Sequence, residues 1–134
     1  MPGIEECLFD AMALPGARGA AVVDWSSGLA LGTVGEACGG EHETSAAEAA
    51  ELARLAAEHT VFARRSGADS EPSSTVLFAE DVIVTTRADL HVLRFVETTF
   101  DSSVFIHLWL DRREGNLALA RFRLQNLATQ LVFA

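Results

Sequence analysis

The stretch LPGARGAAVVDWSSGLAL, residues 14–31, decides how the first third of this chain folds. Pro15-Gly16 stops a preceding helix, because Pro lacks a backbone N–H and Gly tolerates a turn geometry that other residues resist. Residues 18–25 then read as a strand, with Ala21, Val23 and Trp25 on one face and Ala20, Val22 and Asp24 on the other. Ser26-Ser27-Gly28 turns the chain, and residues 29–34 run back. The stretch is a helix stop followed by a hairpin.

Working outward, residues 4–14 carry Ile4, Cys7, Leu8, Ala11 and Met12 at helical spacing, with Glu5 and Glu6 in the first turn, where the helix dipole favours acids. After the hairpin, GEACGG (residues 35–40) carries Glu36, is followed by Glu41 and holds no cation, so it reads as a plain loop rather than a phosphate cradle. Ser45-Ala46-Ala47-Glu48 predicts a capping box opening a helix that runs to about Arg65, and residues 66–74 are a loop. Val82, Ile83 and Val84 predict a strand, with residues 75–79 as a candidate lead-in. Ala88-Asp89 is a turn, residues 90–96 and 104–110 are strands, and residues 98–102 lie between them as a loop. From Asn116, Leu117, Ala120, Leu124, Leu127, Ala128 and Leu131 describe a last amphipathic helix. The order is α-β-β-α-β-β-β-α. Short turns between neighbouring strands predict a mostly antiparallel sheet in an α/β protein of the α+β type.

At 134 residues, 49% of them hydrophobic, the chain is expected to be one domain spanning residues 1–134. Its apolar runs are too short for a bilayer. The N-terminal residues lack the charged and apolar regions of a secretory signal, so a cytoplasmic location is expected. A net charge of −9 argues against nucleic acid and against anionic membranes as partners. All ten basic residues are Arg, which excludes a Walker A lysine and Schiff-base chemistry. Cys7 and Cys38 form no disulfide framework, and neither a metal nor a cofactor is expected.

The middle helix is apolar on too many sides. Projected at 3.6 residues per turn, Leu52, Leu55, His59 and Phe62 share one sector, edged by Ala56 and Ala63. Ala46, Ala49, Ala50, Ala53, Ala57 and Thr60 fill an adjoining sector of small side chains, which would admit a second helix closely. Glu51, Arg54, Glu58 and Arg65 occupy the rest. One sheet face cannot cover a surface this wide. The pattern points to a helix that packs on its own sheet and on a second copy in a two-fold dimer. The competing explanation is that alanine is abundant in this chain and a good helix former, so that an Ala-rich exposed face means nothing.

Catalytic patterns are sparse. His59 reads as a buried or half-buried packing residue. His91 and His107 lie in strands, and a small enzyme would need them beside an acid such as Asp24 or Glu97. Cys38, Glu41, His42 and Glu43 sit in one loop but match no closed zinc set. Arg64-Arg65 suits a helix C-terminus, and Arg112-Arg113 a polar turn.

The element order, together with Leu14-Pro15-Gly16, Gly19-Ala20, Val23-Asp24, Gly28 and the run Gly115-Asn116-Leu117-Ala118-Leu119-Ala120-Arg121, resembles the roadblock/dynein light chain family in its bacterial form. Asp81-Val82-Ile83-Val84-Thr85-Thr86 and Leu90-His91-Val92-Leu93-Arg94 resemble its third and fourth strands. The resemblance implies a five-stranded antiparallel sheet between helices, with the middle helix alone on one face. It also implies homodimers made by pairing the middle helices and the third strands. Bacterial members of this type regulate or scaffold Ras-like small GTPases and have no catalytic residues of their own, so no arginine finger is assigned. The candidate dimer interface is Ala49, Leu52, Ala53, Ala56, Ala57, His59, Thr60, Val82, Val84 and Thr86. Candidate partner-binding residues are Glu51, Arg54, Glu58, Arg64 and Arg65. The alternative is a small-molecule-sensing or structural dimerisation module of the same fold, with no GTPase partner. Trp25 stands where the pattern leads one to expect a small or charged residue, and the loop over residues 66–74 is longer than usual.

Overall fold

The first hairpin forms as its sequence predicts, and everything else is built against it. A computed structural model describes residues 3–59, 61, 79–97 and 103–131. The elements are α1 (Ile4–Met12), β1 (Ala17–Asp24), β2 (Leu29–Gly35), α2 (His42–Glu58), β3 (Asp81–Thr85), β4 (Asp89–Val96), β5 (Val104–Asp111) and α3 (Leu117–Gln130). The sheet order is β2-β1-β5-β4-β3, and every neighbouring pair is antiparallel. Between α1 and β1, Gly16 takes a left-handed φ of 78°, and a Cβ there would lie 2.7 Å from the Gly115 nitrogen. Only glycine satisfies both demands at that corner.

The alternation read in residues 18–25 separates two cores. Ala20 and Val22 join Val92, Ile106 and Leu108 under α1 and α3. Ala21, Val23 and Trp25 join Leu93, Phe95 and Phe105 under α2. α1 packs on β1 and β2 and α3 on β4, side by side on one face, while α2 lies on the other, over β1 and β2. The predicted helical stripes fill as expected: Ile4, Cys7, Leu8, Ala11 and Met12 in α1, and Leu117, Ala120, Leu124, Leu127, Ala128 and Leu131 at α3. Asn116 caps α3 by accepting the Leu119 N–H at 3.0 Å.

The ends of α2 differ from the sequence reading. The helix starts at His42 with Glu41 as its N-cap, and no capping box forms at Ser45. The Ser45 hydroxyl instead accepts the Gly39 N–H at 2.9 Å, tying the loop to a helix already under way. The helix closes at Glu58, short of Arg65, with His59 extended as its C-cap. Thr60, Phe62, Ala63, Arg64, Arg65, the loop over 66–74 and the lead-in over 75–78 lie outside the described residues. The third strand begins at Asp81, after an irregular Ala79-Glu80.

The two apolar sectors of α2 are also used the other way round from the expectation that the small one would meet a second helix. The alanine row faces the protomer's own sheet: Ala46, Ala50 and Ala53 are buried. Small side chains bring the helix close to a sheet that already presents the bulk of Phe95, Phe105 and Leu93. The large sector is left outside, with Leu52 37% and Leu55 54% exposed. His59, expected inside, is exposed, and its Nδ1–H donates to the Leu55 carbonyl at 2.9 Å.

Trp25 acquires a purpose from the fold. Its ring packs beneath α2, and its carbonyl accepts the Arg54 guanidinium at 2.8 Å. The hairpin end thereby holds the C-terminal half of α2 against the sheet.

Candidate functional site

Because α2 covers the β1–β2 side of its face, the β4–β3 side is left open beside it among the described residues. The result is a groove of about 310 Å³. Val84, His91, Leu93 and His107 come to it from the sheet, Ser45, Glu48, Ala49 and Leu52 from α2, and Cys38 and Gly39 from the loop before the helix. Register explains the sheet residues. Val84 pairs with His91, which pairs with Trp109, while Leu93 pairs with His107, so all of them point to the α2 face.

β3 is an edge strand. The bonds from Phe95 N–H to Glu80 O and from Thr86 N–H to Asp89 O orient the even-numbered residues of this segment toward β4. Alternation then places the N–H and C=O groups of Asp81, Ile83 and Thr85 along the outer edge of the sheet. The edge is braced from within by Asp81, whose carboxylate pairs with Arg121 of α3 at 2.9 Å and with Arg94 at 3.9 Å.

The histidines that looked scattered in sequence meet across strands. His91 Nδ1 lies 3.0 Å from His107 Nε2, and His91 Nε2 lies 3.8 Å from Cys38 Sγ. Trp109 stacks parallel to His91, with centroids 6.3 Å apart. Arg18 stands over Trp109 at 4.3 Å. A bulge between Ala17 and Gly19 brings it there. Arg18 is held further by Glu36 at 3.2 Å and Asp89 at 3.8 Å.

The electrostatics of this row oppose a thiolate–imidazolium nucleophile. Burial, then the neighbouring His91, push His107 down to about 4, and burial also lowers His91. Burial and Asp89 push the Cys38 thiol up. A nucleophilic Cys–His pair needs the reverse shifts, a lowered thiol beside a raised imidazole. Cys7 is more inert still, raised to about 11 by burial and then by Asp10. The acids proposed to join the histidines are elsewhere. Asp24 ends β1, where burial acts against ionisation but the Ser26 and Ser103 hydrogen bonds outweigh it and hold the carboxyl low. Glu97 is exposed beyond the end of β4. The loop residues considered for metal do not converge either: His42 Nε2 lies against the Gly35 carbonyl at 3.2 Å, and Cys38 faces His91.

The neutral histidine pair makes stability depend on pH. His107 takes up a proton near 6.5 when unfolded but only near 4 when folded. The unfolded chain therefore binds more protons in that window, and stability falls as pH drops from about 6.5 to 4. The loss expected from His107 is roughly 3 kcal/mol. Urea midpoints measured across this range should fall in the wild type and fall much less in His107→Leu. Equal slopes in the two proteins would remove His107 as the cause.

The predicted interface residues fall into three groups. Leu52, Val84 and Ala49 line the groove, and Val82 lies half-buried on the same face of β3. Ala56 and Ala57 are half-buried under the helix, and Ala53 is fully covered by its own sheet, so it offers no surface to a partner. Thr86 is exposed at the end of β3, its carbonyl accepting the Arg112 guanidinium at 2.9 Å. Glu51 and Glu58 are exposed on the outer side of α2, whereas Arg54 is occupied by Trp25. The His91–His107 contact and the Arg18 stack were missed. Only strand register reveals them.

No family model matches the sequence, and no curated protein matches it. Solved structures do. A roadblock/LC7 domain from Streptomyces avermitilis superposes with a TM-score of 0.69 at 15% identity, over 96% of this chain and 94% of the other. MglB from Myxococcus xanthus gives 0.72 at 14% identity, over 95% and 83%. An MglB described in a tetrameric arrangement gives 0.69 at 16% identity, over 96% and 84%. The chain has the roadblock/LC7 fold that its sequence resembled.

Proposed function

We propose that this chain is a homodimeric, non-catalytic regulator or scaffold that binds a Ras-like small GTPase. The observation that carries the reading is the open half of the α2 face: an apolar groove and the exposed Leu52 and Leu55 beside a β3 whose outer edge has no partner among the described residues. An unpaired edge next to exposed leucines is a surface that proteins normally cover. A second copy related by a two-fold axis covers both at once, β3 against β3 and α2 over the neighbouring groove. The likeness to MglB, one example of which is described as tetrameric, supports self-association of this fold. The GTPase partner comes from the family resemblance. It fits a chain in which Cys38, His91 and His107 are shifted away from a thiolate–imidazolium pair. Glu51 and Glu58 on the outer side of α2 are the contact residues proposed among those described.

The test uses the Ras-like GTPase encoded nearest to this chain's own gene. The two purified proteins should co-elute in one nucleotide state. Glu51→Arg with Glu58→Arg should weaken the complex at least roughly tenfold while leaving the dimer intact. Absence of a complex in both the GDP- and GTP-analogue-loaded states, with hydrolysis unchanged, would overturn the GTPase assignment.

A further inference from the structure

The dimer reading uses Leu52 and Val84 of the groove and leaves its other end, beside the loop before α2, without a role. Leu52 stands two helical turns beyond Ser45, about 10 Å along α2. At the loop end, Cys38 Sγ lies 3.8 Å from His91 Nε2, and His91 Nδ1 lies 3.0 Å from His107 Nε2. One tautomer satisfies both contacts. The Cys38 thiol donates to His91 Nε2, and His91 Nδ1–H donates to His107 Nε2. Burial, then His91, keeps His107 neutral, and burial, then Asp89, keeps the thiol protonated, as this chain of donors requires. A sulfur and an imidazole lone pair thus face each other with a single proton between them.

A metal ion fits in place of that proton. Metal bonds of about 2.3 Å to sulfur and about 2.0 Å to nitrogen span roughly 3.7 Å at a trigonal angle and roughly 4.3 Å when linear. The observed 3.8 Å lies within that range, so an ion enters with little movement of either side chain. His91 is already oriented as a ligand. Its second nitrogen is held by His107, the kind of outer contact that fixes ligating imidazoles, and Trp109 stacks on its ring 4° from parallel. Asp89 favours a cation here. Its Oδ1 is buried and accepts no hydrogen bond among the described residues, with Arg18 3.8 Å away, and its charge acts on both Cys38 and His91. Entry is open, because Cys38 is exposed and the groove reaches both residues.

Donor chemistry selects the ion. Among the described residues no third histidine, cysteine or carboxylate joins this pair in ligand geometry. Zn2+ takes four ligands, whereas a thiolate with one imidazole suits a soft ion content with fewer. We infer that Cys38 and His91 bind a soft monovalent metal ion of the Cu(I) class, with His107 as the positioning residue. On binding, the sulfur–hydrogen bond is exchanged for a sulfur–metal bond, the thiol proton leaves to solvent, and the ion keeps its oxidation state. The ion then ties the loop before α2 to β4. The site requires neither a second copy nor a GTPase.

The test is anaerobic titration of the reduced full chain with Cu(I) held by a competing chelator. The wild type should take up one ion per chain. Cys38→Ser should weaken binding at least roughly a hundredfold and His91→Gln at least roughly tenfold. His107→Leu should weaken it roughly tenfold, the usual effect of removing a contact behind a ligand. His42→Gln, whose ring lies against the Gly35 carbonyl, should bind like the wild type. A bare thiol also takes such ions, so His91 decides the matter. X-ray absorption of the wild-type ion, which depends on no variant, should show one sulfur and one nitrogen. A wild type that binds no ion, a Cys38→Ser or His91→Gln protein that binds like the wild type, or an ion surrounded by sulfur alone overturns the inference.

Discussion

Phe105→Ala is expected to lower the free energy of unfolding by about 3–5 kcal/mol, a large share of what holds a domain of this size together. Phe105 is 0% exposed on the central strand β5. Its ring meets Phe95 edge-on at 6.5 Å, and it packs in one cluster with Val23, Leu93 and the α2 alanines. The alanines set the magnitude. Ala46, Ala50 and Ala53 have no side chain to swing into the vacated volume. Closing the cavity would require α2 itself to sink toward the sheet, and Arg54 on the Trp25 carbonyl resists that movement. The cost should lie in the upper part of the range. Phe105→Leu, which retains most of the volume, should cost under about 1.5 kcal/mol. Urea denaturation at one fixed protein concentration reads both values. A loss below about 1 kcal/mol for Phe105→Ala would mean that α2 is not anchored on this ring.

Leu52→Glu is expected to weaken the proposed dimer more than roughly thirtyfold, the effect of losing a central apolar anchor and leaving a carboxylate in a dry contact. Leu52 lies on the groove side of α2, 37% exposed in the single copy, so its replacement should leave the protomer folded. Thr85→Pro is the complementary variant. Thr85 is exposed, and its N–H belongs to the outer edge of β3, so proline removes a donor available for pairing between copies without breaking the ladder to β4. Both should shift the wild-type mass toward one copy. Val84, facing the groove from β3, should tolerate Ile and reject Lys for the same reason.

Much of this architecture was legible because it depends on periods. The two-residue alternation of Ala20 to Trp25 named the two cores correctly, and the helical stripes of α1 and α3 named their buried residues. Asn116 declared its cap by residue type and position. The misreadings arose where local pattern and tertiary packing compete. Ser45 and Glu48 satisfy the spacing of a capping box, but the Ser45 hydroxyl accepts the Gly39 N–H of the loop instead, and the helix begins four residues earlier, with Glu41 rather than Ser45 as its N-cap. The projection of α2 found its two apolar sectors without showing which one meets the sheet. That choice depends on the bulk of Phe95 and Phe105, residues that follow α2 by dozens of positions in the chain. His91 and His107 are 16 residues apart and touch only because of the β4–β5 register. Trp25 needed Arg54, 29 residues away, to make sense. The excess of apolar surface on α2, by contrast, was legible and is present as the exposed Leu52 and Leu55.

The central claim is that a second copy of this chain covers the open groove and the free edge of β3. Its most direct test is the mass of the purified protein by light scattering at low micromolar concentration. The account predicts twice 14.3 kDa for the wild type and a shift toward 14.3 kDa for Leu52→Glu at unchanged helix content. A wild type of 14.3 kDa, or a dimer that Leu52→Glu leaves intact, would contradict it.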